Sequence, residues 1–171
     1  MAIDDPSCAV AHGETPAATG TRTLVAVFAS PVAALLLRYG RDLGYRTVLV
    51  EPERGRVTNE EAGETTVFTH VPDLDEHADI VVTDHHRVEL GPVLAEALKQ
   101  PARWIGVMGN PRHPGPHVAA LRELGVADSD IARVHRPIGL NIGSRTPPEI
   151  AIATLAGLIA DRNGKPGGFE F

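Results

Sequence analysis

Apolar residues in this chain fall into short unbroken runs, separated by stretches in which they recur with helical spacing. Residues 23–29 (TLVAVFA) form the first run, wholly apolar after its threonine, as a strand buried on both faces would be. Ser30 can cap a helix, Pro31 suits its first position, and an apolar stripe then continues from Val32 to Leu43, where Gly44 stops it. Further strands are predicted at 47–50, 66–69, 79–83 and 104–108, and residues 54–65 read as a loop. Helices are predicted at 92–99 and 117–124, the second closed by Gly125, with one more turn capped by Asp128 or Ser129. The last helix is the most strongly punctuated. Thr146-Pro-Pro-Glu149 is a capping box with prolines in the first turn, and the helix runs from 150 to 160 before Asn163-Gly164.

Strands alternating with helices specify a mainly parallel sheet covered on both faces: a Rossmann-like, doubly wound, three-layer α/β domain. Residues 22–163 would form that domain. Residues 1–21, small, polar and broken by Pro and Gly, read as a disordered leader, and 164–171 as a flexible tail.

Composition narrows the partners. A net charge of −6 without any Lys/Arg run disfavours nucleic acid. Cys8 is the only cysteine, which leaves no disulfide framework and no cysteine-based metal site. No run approaches the roughly 20 apolar residues that cross a bilayer, and no signal-peptide pattern opens the chain, so a cytoplasmic protein is expected.

The first strand-to-helix turn is where a dinucleotide fold places its three glycines: one for the turn, one for approach to the pyrophosphate, one for helix packing. The corresponding residues here are Phe28, Ser30 and Ala33. Phe28 stands where an unusual backbone angle is often needed, and Ser30 adds a side chain where phosphate would sit. Pro31 removes one N–H donor and a Ser30 cap would occupy another. Glu51, ending the second strand, has the position of a ribose-binding carboxylate. The architecture is kept and the phosphate cradle compromised; a helix start that only has to pack is the plainer reading.

In an open parallel sheet ligands bind beyond the carboxyl ends of the strands. Asp84, His85 and His86 project there and could bind a divalent metal, with His113 or His117, or serve as acid and base; they could equally cap the next helix. Adjacent residues of an extended chain point to opposite sides, which argues against His85 and His86 sharing an ion, and no metal site is assigned. Gly109-Asn110-Pro111-Arg112 could form an anion nest with Arg112 beside it, or a simple turn. Residues 136–149 combine Ile138, Leu140 and Ile142 with Gly139 and Gly143. This predicts a buried loop whose glycines approach a ligand, the sheet or a second chain.

HRPIGLNIGSRTPPEIAIATLAGLIA (135–160) resembles the C-terminal signature of the XdhC/CoxI family, the xanthine dehydrogenase accessory factors. WIGVMGN (104–110), VVTDHHRVEL (81–90) and GYRTVLVEPE (44–53) are similar to other segments of that family, and the likeness covers about residues 23–162. It implies a Rossmann domain of a cytoplasmic, often dimeric protein that binds molybdenum cofactor and protects it during sulfuration by a cysteine desulfurase. It further implies delivery to a xanthine dehydrogenase-type enzyme. The family's cysteine-bearing N-terminal domain and its GxG turn find no counterpart here, so a separate chain carrying that domain is an expected partner. On this reading Ser30, Gly109, Asn110 and Arg112 face the anion of a phosphorylated pterin or nucleotide and Glu51 a hydroxyl. Thr83, Asp84 and His85 form the opposite wall, and Gly139 and Asn141 belong to the loop that closes the site. Binding rather than catalysis is expected. The alternatives are an NAD(P)-dependent oxidoreductase, disfavoured by the missing glycines, and an interaction module without ligand.

Overall fold

The structure, a computed structural model, describes residues 10–13, 21–58 and 65–168; most of the expected leader and the last three residues lie outside them. The elements in chain order are β1 (Thr23–Val27), α1 (Pro31–Asp42), β2 (Arg46–Val50), β3 (Thr66–Phe68), β4 (Ala78–Val82), α2 (Leu90–Leu98), β5 (Trp104–Val107), α3 (Pro116–Glu123), α4 (Asp128–Ile131), β6 (Val134–His135) and α5 (Pro147–Arg162). A 3-10 turn, Arg54–Arg56, follows β2. The strands form one sheet in the order β3-β2-β1-β4-β5-β6, every pair parallel. This is the doubly wound topology, with its reversal of strand order between β1 and β4.

The alternation within each strand divides the core. Leu24 and Ala26 of β1 point to one face, where Leu36 and Leu37 of α1 and Leu155 and Leu158 of α5 cover them. Val25 and Val27 point to the other, beneath Val93 and Leu94 of α2 and Leu121 of α3. Burial of each such aliphatic side chain contributes about 1.5–3 kcal/mol, enough to make this two-sided packing the main source of stability.

The end signals of the first and last helices act as the sequence predicts, whereas α4, expected to be capped by Asp128 or Ser129, has Ala127 at its N-cap and no side-chain cap, Asp128 being paired with Arg122. The Ser30 hydroxyl accepts the Ala33 N–H at 3.0 Å with Pro31 in the first turn. At α5, Thr146 and Glu149 form both halves of the capping box. Between β3 and β4 the described residues contain no helix, so those two strands are joined by a loop. The two-residue β6, which pairs Val134 with Ile105 and His135 with Gly106, has no counterpart among the predicted strands because two residues show no periodicity. Below the sheet, fully buried Asp79 accepts Arg103 Nε at 2.7 Å and is bonded by Arg162, which ties the end of α5 to the start of β4.

Candidate functional site

Beyond Val27 the chain turns sharply into α1. Phe28 makes that turn with φ +73 while its side chain is fully buried. A non-glycine residue in this region costs about 1–2 kcal/mol, so the surroundings must hold it there. They do. The Phe28 N–H donates to Val50 O at 2.8 Å, and the Arg87 guanidinium covers the ring, 4.6 Å from its centroid.

Arg87 itself is held by Glu51. Its Nη1 donates to Oε2 at 3.0 Å and its Nη2 to Oε1 at 2.8 Å, a bidentate pair with neither partner appreciably exposed. Glu51 also accepts the Ala29 N–H at 2.8 Å and the Glu53 N–H at 2.9 Å. Burial pushes the Glu51 carboxyl upward, but the Arg87 bonds and the two N–H donors outweigh it and hold the group below the usual carboxylate range. Arg87 reaches Glu89 as well, Nε to Oε2 at 3.2 Å.

The first helix turn is equally occupied. Thr83 Oγ1 donates to the Phe28 and Val27 carbonyls at 2.9 and 3.1 Å, and the Ser30 hydroxyl lies 3.0 Å from it. With the threonine proton committed to carbonyl oxygens, Ser30 is the donor of that contact.

Next to this turn, at the carboxyl ends of β4 and β5, opens a cleft of about 630 Å³. Thr83, His85 and Asn110 stand on one side, and Asn141 and Ser144 on the other. Met108, Ile138, Leu140 and Ile150 supply apolar wall. A shallower hollow of about 730 Å³ lies on the other side of His85 and Asn110, between the starts of α2 and α3. It is lined by His86, His113 and two prolines, with Val88 92% exposed at its rim.

The wall between them is held from below by Arg136. Its Nη2 donates to Asn110 O and its Nη1 to His113 O, each at 2.9 Å. Gly109 makes room for this, since a Cβ there would stand 2.6 Å from the guanidinium. The clamp leaves Arg136 Nε buried without a partner, as is Nδ1 of His117. Burial, then the Arg136 charge, lowers the His117 pKa. His85 is lowered by burial, then by His86 and Arg136, against the opposing influence of Asp84 and a bond with the Met108 backbone. Both imidazoles are therefore neutral at pH 7, and His85 can donate from one nitrogen and accept at the other.

Of the residues put forward from the sequence, Thr83, His85, Gly109, Asn110, Gly139 and Asn141 line the cleft. Ser30 touches it through Thr83. Glu51, expected on a ligand hydroxyl, has no exposed surface, and both its oxygens are taken by the chain. Asp84 closes a turn by accepting the His86 N–H at 2.9 Å. Arg112 is exposed and lines neither hollow; its N–H is held by the Asn110 side chain, and the guanidinium facing that turn is Arg136.

Two geometric expectations are corrected. Residues 85–86 form a turn rather than extended chain, which brings their rings to 4.0 Å instead of to opposite sides. Even so, the described residues contain no group of three His, Cys, Asp or Glu able to hold a metal. The 137–146 loop is also less buried than its apolar residues imply. Ile138 and Leu140 are half-buried, but Ile142 is 56% exposed. Its Gly139 approaches a helix: a Cβ there would stand 3.0–3.1 Å from the Ala153 backbone, and Leu140 N–H bonds Ala153 O. Ser144 and Met108, together with the supports Arg87 and Arg136, were not singled out by sequence. Ser144 lies inside the segment read for its apolar residues, and Arg87 directly follows the histidine pair, but neither position carries a motif.

The model of the XdhC Rossmann domain matches residues 24–158, which include all six strands, except for Thr23, and most of α5. The chain belongs to the XdhC family. A curated relative, "Uncharacterized protein YqeB" of Escherichia coli (strain K12), is 44% identical over 75 residues, which are 44% of this chain and 14% of that protein. A solved structure described as a xanthine dehydrogenase from Bacillus halodurans superposes with a TM-score of 0.68 at 19% identity, over 85% of this chain and 46% of that one. At that identity the likeness speaks for the fold. This XdhC domain thus spans less than half the length of either relative. Its family match includes the Phe28 turn, the Glu51–Arg87 pair and all of the cleft's lining. No helix among its described residues is long and apolar enough to cross a membrane.

Proposed function

We propose that this XdhC domain is an accessory, chaperone-like factor of molybdenum-hydroxylase systems, which holds a pterin-type cofactor without turning it over. The observation that carries this reading is the cleft at the switch point, whose hydroxyl, amide and imidazole groups converge between apolar walls inside a family-matched fold. Thr83, Asn110, Asn141 and Ser144 suit the polar edge of a pterin, and Met108, Ile138 and Leu140 its faces. The same donor set does not suit molybdenum itself. Cys8, the chain's single thiol, lies outside the described residues. When bound, the cofactor would supply its own redox chemistry, and the domain's part is to orient it and limit its contact with water.

Such a factor needs protein partners. The reading includes a xanthine dehydrogenase-type enzyme as client and a cysteine desulfurase or a separate chain with the family's N-terminal domain as co-worker. It also includes a cytoplasmic location and a homodimer. The outer face of α5, where Ile152 and Ile159 are exposed, is the surface that suits a second protein.

Titration of the purified domain with molybdopterin, followed by ligand fluorescence, tests the cleft. Binding should be saturable and weaken about ten-fold in Asn141→Ala or Ser144→Ala, as for one lost hydrogen bond of about 1.5 kcal/mol. Binding unaffected by both substitutions would place the ligand elsewhere.

A further inference from the structure

The Glu51–Arg87 pair lies on a particular path. In a doubly wound sheet a dinucleotide crosses the carboxyl edge at the switch point, its adenosine ribose on the acidic residue that ends β2 and its pyrophosphate over the turn after β1. Here Glu51 ends β2, Phe28 makes the turn, and Arg87 comes from the loop after β4. Since β1 lies between β2 and β4, the Arg87 side chain must pass over the end of β1 to reach Glu51. It does so directly above the Phe28 ring. Its two terminal nitrogens occupy both carboxylate oxygens, as the two hydroxyls of a ribose would. The Ala29 N–H, which would otherwise face a phosphate, is also turned onto Glu51.

We propose that Arg87 is a specificity residue: it fills the adenosine-ribose place with the chain's own guanidinium, so that nucleotides with an adenosine arm are excluded while the neighbouring cleft stays open to a ligand without one. This rests on the reading above only in taking the carboxyl edge as the ligand edge. Arg87 does not line the cleft, so the two ideas are separable. Phe28 is the second half of the plug. Its ring supports the guanidinium, and its side chain stands where the fold otherwise uses glycine.

The test is binding of AMP and NADH, by calorimetry, to the wild-type chain, Arg87→Ser and Phe28→Gly/Arg87→Ser, with thermal unfolding to confirm folding. Wild type should show no saturable binding into the millimolar range. The variants should gain affinity by about ten-fold or more, and 2′-deoxy-AMP should lose that gain, because the freed Glu51 would hold the 2′-hydroxyl. If wild type binds AMP as tightly as the variants, or folded variants bind no better than wild type, Arg87 is not the gate. Should Arg87→Ser fail to fold, Arg87→Lys keeps a charge but not the bidentate pair, and must show a smaller gain with the same 2′-hydroxyl dependence. Molybdopterin titrated into the same variants separates the proposals. Unchanged pterin binding with no nucleotide gain overturns this one alone, and a nucleotide gain without pterin binding at any stage overturns only the other.

Discussion

Gly157 of α5 lies against the backbone of Gly139: a Cβ added at Gly157 would stand 2.9 Å from the Gly139 Cα. Gly139 in turn has φ +83, so neither partner of this contact tolerates a side chain. The 137–144 loop is seated on the helix through that pair, and the loop is one wall of the cleft.

Gly157→Ala should therefore lift the loop, costing about 1–3 kcal/mol as overpacking does. Gly143→Ala, at φ +71 but with no atom within 4 Å of its added Cβ, should cost about 1 kcal/mol from backbone strain alone. Urea unfolding measures both. Equal costs would mean that the Gly139 contact does not set the loop's position.

Breaking the buried pair one-sidedly should be severe. Glu51→Gln leaves Arg87 charged beside Phe28, and about 3–5 kcal/mol should be lost, with the double variant Glu51→Gln/Arg87→Met recovering a substantial part. The acid dependence follows from the lowered Glu51 pKa. The stability it contributes is full above the unfolded carboxyl pKa of about 4.3 and disappears as pH falls through the lower folded value. In Glu51→Gln the acid limb of the stability profile should flatten. An unchanged limb would show that other carboxylates govern it.

His85 and His117 act in the same direction as Glu51 but at higher pH. Both are lowered in the fold, so the unfolded chain takes up protons first as pH drops below about 6.5, and stability declines from there toward the folded pKa values. His117→Gln should reduce that slope. Arg136→Gln should raise the His117 pKa, visible in its imidazole NMR titration, while releasing Asn110 O and His113 O from their donor. A His117 titration indifferent to Arg136 would contradict the clamp geometry.

On α5, Ile152 is 53% and Ile159 37% exposed, so Ile152→Glu/Ile159→Glu should change stability by only about 0.5 kcal/mol. If that face holds a second copy, sedimentation velocity should show the wild-type dimer replaced by monomer. Dimers that survive the substitutions would move the interface off α5.

The layers of this fold are legible because they follow from periodicity and caps. Residues 23–27 can only be a two-sided buried strand, and Thr146 with Glu149 can only open a helix. The edge of the sheet was legible as a place, since strand ends are where the loops must be. What the sequence could not show is which side chains meet there. Glu51 and Arg87 sit on separate loops, and no local pattern announces their pairing. Arg112 and Arg136 were equally available to the 109–113 turn, and only the course of β6 decides that Arg136 folds beneath it. The histidine pair departs from strand alternation for a related reason: alternation holds on a strand, and β4 ends before the pair begins.

His85 and Asn110 are the two residues common to both hollows at the sheet's edge. That partition is fixed from beneath by Arg136, which holds the Asn110 and His113 carbonyls. Occupants of both hollows would therefore meet across the same two side chains, and any change in affinity that one imposed on the other would be returned in equal measure.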